Sequence, residues 1–201
     1  MVTIINEPPR QPIIGIALGG GGLRGTAHIG ILEILQSKGL PIHMVAGTSA
    51  GSIIAMLYAL GWTPKDMISF LSEVIIADYV DYAANVKTLF LMATKSILDR
   101  FSLPHRWLPP TPLGLVRGRK LEKMLSRLTG NQIFYQINFP LLITATDICS
   151  GRLVCFCPPG LVQQLTPLRP EIIFSSDSSL AQAVRASTAI PGIFHPVIWQ
   201  G

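Results

Sequence analysis

The sequence is poor in charged residues. Asp, Glu, Lys and Arg make up 13% of the 201 residues, whereas hydrophobic residues make up 49%. Globular proteins devote about a quarter of their residues to charge, so much of this chain must be buried or must contact lipid. The most apolar stretch, residues 42–62, is broken by a glycine-rich segment. The helical part that follows, residues 52–60, is too short to span a membrane.

Cysteine is scarce, and residues 1–12 do not have the pattern expected of a secretion signal. The three cysteines, Cys149, Cys155 and Cys157, form an odd set without a paired disulfide framework, which is typical of a reducing compartment. No second pair of Cys or His residues lies near Cys155 and Cys157, so we expect no metal and no cofactor. Residues 1–12 lack both a basic start leading into an apolar core and a cleavage site. The expected location is the cytoplasm, with peripheral membrane contact left open.

One serine stands in a pattern typical of nucleophiles. The segment Gly47-Thr48-Ser49-Ala50-Gly51 follows an apolar run and precedes an apolar helical stretch. In a G-x-S-x-G nucleophile elbow the serine occupies a sharp turn from strand to helix, and the glycines allow the backbones to approach closely. The same residue types also occur in tight turns that only pack. The pattern therefore predicts a nucleophile at Ser49 and leaves a structural role open.

A second glycine-rich segment follows the first predicted strand, residues 13–18. Its glycines fit G-x-G-x-x-G, but a dinucleotide site needs an acidic residue about 20 positions on, and no acid lies between Glu33 and Asp66. A P-loop is excluded because Thr26 stands where the motif needs lysine. A run of free backbone N–H groups at a helix start suits an oxyanion. The residues of this segment are Gly20, Gly21, Gly22, Leu23, Arg24 and Gly25.

Four sequence blocks together resemble the patatin-like phospholipase family. They are GGGLRG with the helix start Ala27-His28-Ile29-Gly30, GTSAG, Ala145-Thr146-Asp147 followed by Gly151, and Ala186-Ser187-Thr188-Ala189-Ile190-Pro191-Gly192-Ile193-Phe194. The resemblance covers most of residues 13–199. It implies a patatin-like domain over residues 13–201, after a tail at residues 1–12.

The resemblance implies a serine acyl hydrolase that cleaves lipid esters. Ser49 would be the nucleophile, and residues 20–25 would form the oxyanion hole. The second catalytic residue of the family is an aspartate in a D-G-G or D-G-A motif, yet this sequence has no Asp-Gly dipeptide. We therefore expect a domain that is incomplete at its C-terminus. The alternative function is an inactive, truncated module that binds a lipid surface or a partner.

A substitute for the missing aspartate can be drawn from the sequence. Asp147 and His195 follow Ser49 in the chain order of α/β-hydrolase triads. Asp147, however, precedes Ser150-Gly151, where an aspartate commonly caps a turn. His195 lies in a Phe-His-Pro loop, in no motif typical of a catalytic histidine. We therefore favour a structural role for both residues.

Apolar strands alternate with helical stretches along the chain, which predicts an α/β fold: the parallel-sheet, three-layer patatin-like fold, lacking its C-terminal part. Helices are predicted over residues 26–37, 52–60, 63–75, 86–98, 118–128 and 179–187. Strands are predicted over 13–18, 140–146 and 152–156, and residues 104–112 contain too many prolines for regular structure.

The net charge of +5 is concentrated on one predicted helix. Lys120, Lys123 and Arg127 share a face at helical spacing, opposite an apolar stripe. This face is either simply solvated or attracted to anionic lipid headgroups. Aromatic residues do not alternate with the basic residues, and no nucleic-acid-binding motif is present, so nucleic acid is not expected as a partner.

Overall fold

The computed structural model describes residues 12–83, 94, 95, 98, 100 and 113–199. The predicted helix over 86–98 lies outside the described residues except at 94, 95 and 98, and the proline-rich segment 104–112 lies wholly outside them. The strands are β1 (Gly15–Leu18), β2 (Met44–Thr48), β3 (Gly114–Val116), β4 (Leu141–Thr146), β5 (Leu153–Phe156), β6 (Ile173–Ser175) and β7 (Gly192–Phe194). The helices are α1 (Ala27–Ser37), α2 (Ala50–Ala59), α3 (Pro64–Glu73), α4 (Arg119–Leu128), α5 (Pro159–Leu165) and α6 (Leu180–Ser187), with short 3₁₀ turns at Gly22–Thr26, Ile76–Tyr79 and Phe134–Gln136.

A mixed, mostly parallel sheet organises the fold. Five strands pair in the order β1-β2-β4-β5-β6, and β3 pairs with β7 in a separate two-stranded sheet. All pairs are parallel except β4 and β5, which form an antiparallel hairpin. The α/β class predicted from the sequence is therefore confirmed.

The chain direction explains on which side of the sheet the helices lie. From β1 to β2 to β4 the chain steps in one direction across the sheet, and right-handed crossovers then place the connecting helices on the same face. Gly47 of β2 accordingly packs against Ser52 and Ala55 of α2. Because β5 runs antiparallel to β4, the same rule places α5 on the opposite face, and Cys155 is buried there. Met44 of β2, on that opposite face, is 44% exposed.

The main core fills the space between the sheet and the helices α1, α2 and α6. Burial follows the period of two expected of strands, since Val45 and Gly47 are buried while Met44 and Thr48 are exposed. The buried cluster includes Leu18, Ile29, Leu32, Val45, Ile54, Met56, Leu57, Leu141, Ile143, Val154, Phe156, Leu180, Ala183 and Val184.

Several helix boundaries follow from local sequence signals. Thr63 and Asp66 form the capping box that starts α3, with Pro64 at its first position. Ser179 caps α6 by accepting a hydrogen bond from the Gln182 N–H. At the end of α1, Gly39 takes a left-handed φ of 64°, as a C-terminal glycine cap should.

A buried arginine connects α6 to the two-stranded sheet. The Arg185 guanidinium donates to the backbone carbonyls of Arg117 at 2.8 Å, Gly118 at 3.1 Å and His195 at 2.8 Å. It also lies over the Phe194 ring, 5.2 Å from the centroid. Burial lowers the pKa of this guanidinium, and only 2% of the residue is exposed. Arg185 therefore fixes the position of α6 at its C-terminal half.

Among the helices that the structure describes, none is both long enough and apolar enough to cross a bilayer.

Candidate active site

Ser49 occupies the turn between β2 and α2 in a backbone conformation that few side chains adopt. Its φ is 53° and its ψ is −123°. Asn131 is the only other non-glycine residue with a positive φ among the described residues. Such conformations cost about 1–3 kcal/mol and cluster at functional sites. The backbone at Ser49 is thus strained, and the surrounding structure must hold it.

The glycines on either side of Ser49 are required by close backbone contacts. A Cβ at Gly47 would lie 2.5 Å from the Cα of Ser52. A Cβ at Gly51 would overlap the carbonyl group of Leu18. Both positions therefore exclude any residue with a side chain unless the backbone moves. This is the geometry for which G-x-S-x-G segments use glycine.

Both backbone polar groups of Ser49 are bonded to serine residues. The Ser49 carbonyl accepts from the Ser52 N–H at 2.8 Å and from the Ser52 hydroxyl at 2.5 Å. The Ser49 N–H donates to Oγ of Ser187, the last residue of α6, at 2.7 Å. The sequence includes Ser187 in one of the four blocks but did not predict this contact, because the partners are far apart in the chain.

The glycine-rich segment after β1 packs directly on this turn. A Cβ at Gly20 would lie 3.1 Å from Cβ and 3.8 Å from Oγ of Ser49. A Cβ at Gly25 would lie 2.6 Å from Cβ of Ala50. The structure therefore brings the two glycine motifs of the sequence together around Ser49.

Four successive amides in this segment are free to bind a ligand. Among the described residues, the backbone N–H groups of Gly20, Gly21, Gly22 and Leu23 have no acceptor, whereas that of Arg24 donates to the Gly21 carbonyl at 3.3 Å. Arg24 therefore does not supply a free donor in this conformation, although the sequence places it in the predicted oxyanion loop. Leu23 is 70% exposed.

A histidine contacts the start of the same segment. Nε2 of His28 lies 2.9 Å from the carbonyl oxygen of Gly19, so the ring can donate from the first turn of α1. Its observed contact is with the loop backbone and not with the Ser49 hydroxyl.

A groove of about 660 Å³ runs beside Ser49. One wall includes Thr48, whose Oγ1 lies 2.6 Å from Oγ1 of Thr144 on the neighbouring strand. The other lining residues are mainly apolar, and the polar Ser187 also lines the groove. They include Ala145, Ile148, Leu153, Ala186, Ala189, Ile190 and Pro191.

The structure does not assemble a triad from Ser49, Asp147 and His195. Asp147 accepts from the Cys149 N–H at 2.9 Å and from the Ser150 hydroxyl at 2.5 Å, so it caps the turn between β4 and β5. These hydrogen bonds hold the pKa of its carboxyl below the usual range. His195 lines a different cavity with Arg185. Among the described residues, Ser49 Oγ forms no hydrogen bond with either of them.

One further surface, the basic face of a helix, was predicted from the sequence. Lys120, Lys123 and Arg127 of α4 line a cavity of about 400 Å³ together with Asp78. Within the described ranges, no three His, Cys, Asp or Glu residues are placed to share a metal ion.

Comparison with known families identifies the chain. The model of the family described as patatin-like phospholipase matches residues 16–201. The chain therefore belongs to the patatin-like phospholipase family.

Relatives extend well beyond this chain. YqhO of Bacillus subtilis is 31% identical over 182 residues, which are 89% of this chain and 56% of the relative. An NTE family protein of Mycobacterium tuberculosis is 28% identical over 188 residues, 92% of this chain and 40% of its own length. The chain thus spans about half the length of these relatives. A shorter match of 46 residues at 56% identity, 23% of this chain and 2% of the other, is to a protein named lysophospholipase NTE1 of Mycosarcoma maydis.

A solved structure shares the fold. ExoU of Pseudomonas aeruginosa, solved in complex with SpcU, superposes with a TM-score of 0.51 at 21% identity, over 90% of this chain and 39% of that chain. The similarity supports the α/β fold of the chain.

Proposed function

We propose that the chain is the nucleophile-bearing part of a serine acyl hydrolase that cleaves ester bonds of phospholipids or lysophospholipids. One observation supports this most strongly: the glycine-rich segment, whose amides at residues 20–23 are free, packs through Gly20 against the strained Ser49 turn. Preorganised N–H donors of this kind stabilise the negative charge that develops in acyl transfer. Membership in the patatin-like phospholipase family supports lipid hydrolysis at the level of the family.

The proposed reaction has two stages. Oγ of Ser49 attacks the acyl carbonyl and loses its proton to a base, while the carbonyl oxygen gains negative charge beside the amides of the glycine-rich segment. The C–O bond to the alcohol then breaks, and the alcohol takes up the proton. Water attacks the resulting acyl-serine in the same manner, releases the fatty acid and regenerates Ser49.

The groove beside Ser49 is the proposed site of the acyl chain. Its Ile148, Leu153 and Ile190 side chains offer apolar contact to a hydrocarbon chain. The basic face of α4, formed by Lys120, Lys123 and Arg127, is proposed to face anionic headgroups at a cytoplasmic membrane surface. The substrate would then be taken from the bilayer.

The general base is the part of the mechanism for which the described residues offer no candidate. The Asp147 carboxylate accepts hydrogen bonds within its own turn, and His195 lines a different cavity. The resemblance implies an aspartate in an Asp-Gly motif, which this sequence does not contain. We therefore propose that the 201-residue chain hydrolyses esters slowly, since general-base assistance contributes about 10² to 10⁴ in rate.

The proposal is tested by release of fatty acid from lysophosphatidylcholine and from phospholipid vesicles. We expect slow release by the 201-residue chain that disappears in Ser49→Ala. Ser72→Ala is the matched control, because the Ser72 hydroxyl is exposed and donates only within its own helix. Equal release by wild type and Ser49→Ala would overturn the role of Ser49.

A second candidate function is a catalytically inactive module that binds a lipid surface. The observation in its favour is that Ser49 Oγ has no hydrogen-bonded base among the described residues. This function predicts sedimentation with anionic vesicles that depends on Lys120, Lys123 and Arg127, together with no fatty acid release over long incubation. Detectable, Ser49-dependent release would exclude it.

A further inference from the structure

We infer that Ser187 is a positioning residue for Ser49. Its hydroxyl oxygen accepts the Ser49 N–H at 2.7 Å and thereby ties the C-terminal end of α6 to the turn between β2 and α2. The contact itself is independent of what Ser49 does. Its catalytic consequence rests on the proposed function, in which Ser49 is the nucleophile.

The backbone at Ser49 needs such an external anchor. With φ at 53° and ψ at −123°, the residue lies in a sparsely populated region of backbone conformation, which persists only where the surroundings enforce it. Ser52 holds the carbonyl side of Ser49 from within the same helix turn. Ser187 holds the amide side from a different element. Without it, the Ser49 N–H has no protein acceptor among the described residues.

Ser187 is itself held firmly enough to act as an anchor. The preceding turns of α6 bury Leu180, Ala183 and Val184 in the core. Arg185, two residues before Ser187, is bonded to three backbone carbonyls. A shift of the Ser187 backbone would therefore require movement of a packed helix.

The geometry also links the anchor to the reacting atom. The Ser49 N–H and Cβ share one Cα, so rotation of the Ser49 backbone would also move Oγ relative to Gly20, the residue of the glycine-rich segment that packs against it. A misplacement of about 1 Å at a reacting group can cost about 100-fold in rate. Ser187 would thus act on Ser49 through the backbone, without touching the ester.

Hydrogen exchange tests the contact without any need for catalysis. The 201-residue chain is compared with Ser187→Ala and Ser187→Thr, and exchange of the Ser49 amide is read at single-residue resolution by mass spectrometry with electron-transfer fragmentation. We expect Ser187→Ala to speed this exchange about tenfold or more, because a protein acceptor is lost. Ser187→Thr keeps the hydroxyl and should restore slow exchange.

Ser179→Ala is the matched control for helix stability. Ser179 caps the opposite end of α6, and its hydroxyl, which the substitution removes, bonds to the Gln182 N–H at that end. Its loss should speed exchange of the first-turn amides of α6 and leave Ser49 unchanged. Should Ser187→Ala fail to fold, Ser187→Cys repeats the test, since the thiol fills the space of the hydroxyl and sulfur accepts hydrogen bonds only weakly.

The catalytic consequence is tested by measuring the second-order rate constant for labelling of Ser49 by a fluorophosphonate. Labelling should fall about tenfold or more in Ser187→Ala and recover in Ser187→Thr. If wild type does not label at all while Ser187→Ala still exchanges selectively faster at Ser49, the positioning contact stands and the proposed function fails. If Ser49 exchange is unchanged in Ser187→Ala, or if all amides of β2 and α2 speed up equally, the inference is overturned.

Discussion

Gly51 packs against the carbonyl group of Leu18 so closely that any Cβ at position 51 would overlap it. Leu18 ends β1, and Gly51 lies in the first turn of α2. The contact fixes where the chain enters the glycine-rich segment relative to the turn that carries Ser49. One close approach therefore aligns the two motifs that the sequence keeps apart.

The first prediction concerns this contact. Gly51→Ala should destabilise the protein by about 3 kcal/mol, because neither backbone can yield without disturbing the sheet or α2. Gly30→Ala is the matched control: Gly30 lies within α1, with open space around its Cα and no positive φ. That change should stabilise the fold by about 0.5–1 kcal/mol. Urea denaturation of both variants checks the pair, and similar changes of the same sign would contradict it.

Much of the fold could be predicted because local signals coincide with the tertiary structure. The strand, turn and helix around Ser49, the capping box of Thr63 and Asp66, and the β4–β5 hairpin all follow from residues close in sequence. These segments combine hydrophobic periodicity with turn or cap residues, so propensity and packing favour the same structure.

Other elements could not be predicted because their signals are short or contradictory. Strands β3 and β7 have three residues each and gain their definition only by pairing with each other. Helix α5 contains Gly160 within its first turn, where glycine weakens the helical signal. The roles of Ser187 and Arg185 depend on contacts across long stretches of chain, which no spacing rule reveals.

The second prediction concerns the free amides. Gly22→Ala and Gly39→Ala should each cost about 1 kcal/mol in stability, because both glycines have a left-handed φ, 57° and 64°, with open space around the Cα. Only Gly22 lies in the glycine-rich segment beside Ser49. We therefore expect only Gly22→Ala to slow fluorophosphonate labelling of Ser49. Equal labelling of the two variants would argue against an oxyanion role for the segment.

The third prediction concerns the cysteines. Burial raises the pKa of Cys155 to about 11, and burial together with the neighbouring Cys155 raises that of Cys157 to about 12, whereas Cys149 is exposed. At pH 8 only Cys149 should react rapidly with Ellman's reagent, and all three thiols should react after denaturation. Cys149→Ser should abolish the rapid reaction. Rapid reaction of two or three thiols in the native protein would contradict the burial of Cys155 and Cys157.

The same pKa values predict how stability changes in alkali. In the unfolded chain the two thiols ionise near pH 9, but in the folded protein they stay protonated up to about pH 11. The unfolded state therefore binds fewer protons between these values, so stability falls as the pH rises above about 9.

The fourth prediction concerns Arg185. Arg185→Ala should destabilise the protein by about 3 kcal/mol or more, because it leaves the carbonyls of Arg117, Gly118 and His195 without their buried donor. Arg169→Ala is the matched control, since Arg169 forms only an exposed ion pair with Glu171 and should change stability by less than about 0.5 kcal/mol. Denaturant titration distinguishes the two. A similarly small loss in both would contradict the anchoring of α6 by Arg185.

The most direct test of the account is the site at which a fluorophosphonate probe reacts. Covalent labelling accumulates with time, so even a serine without its base can be detected after long incubation. The account predicts modification of Ser49 in the 201-residue chain, no modification in Ser49→Ala, and unchanged modification in Asp147→Asn and His195→Ala. Labelling at another serine, or labelling that persists in Ser49→Ala, would contradict the assignment of Ser49 as the nucleophile.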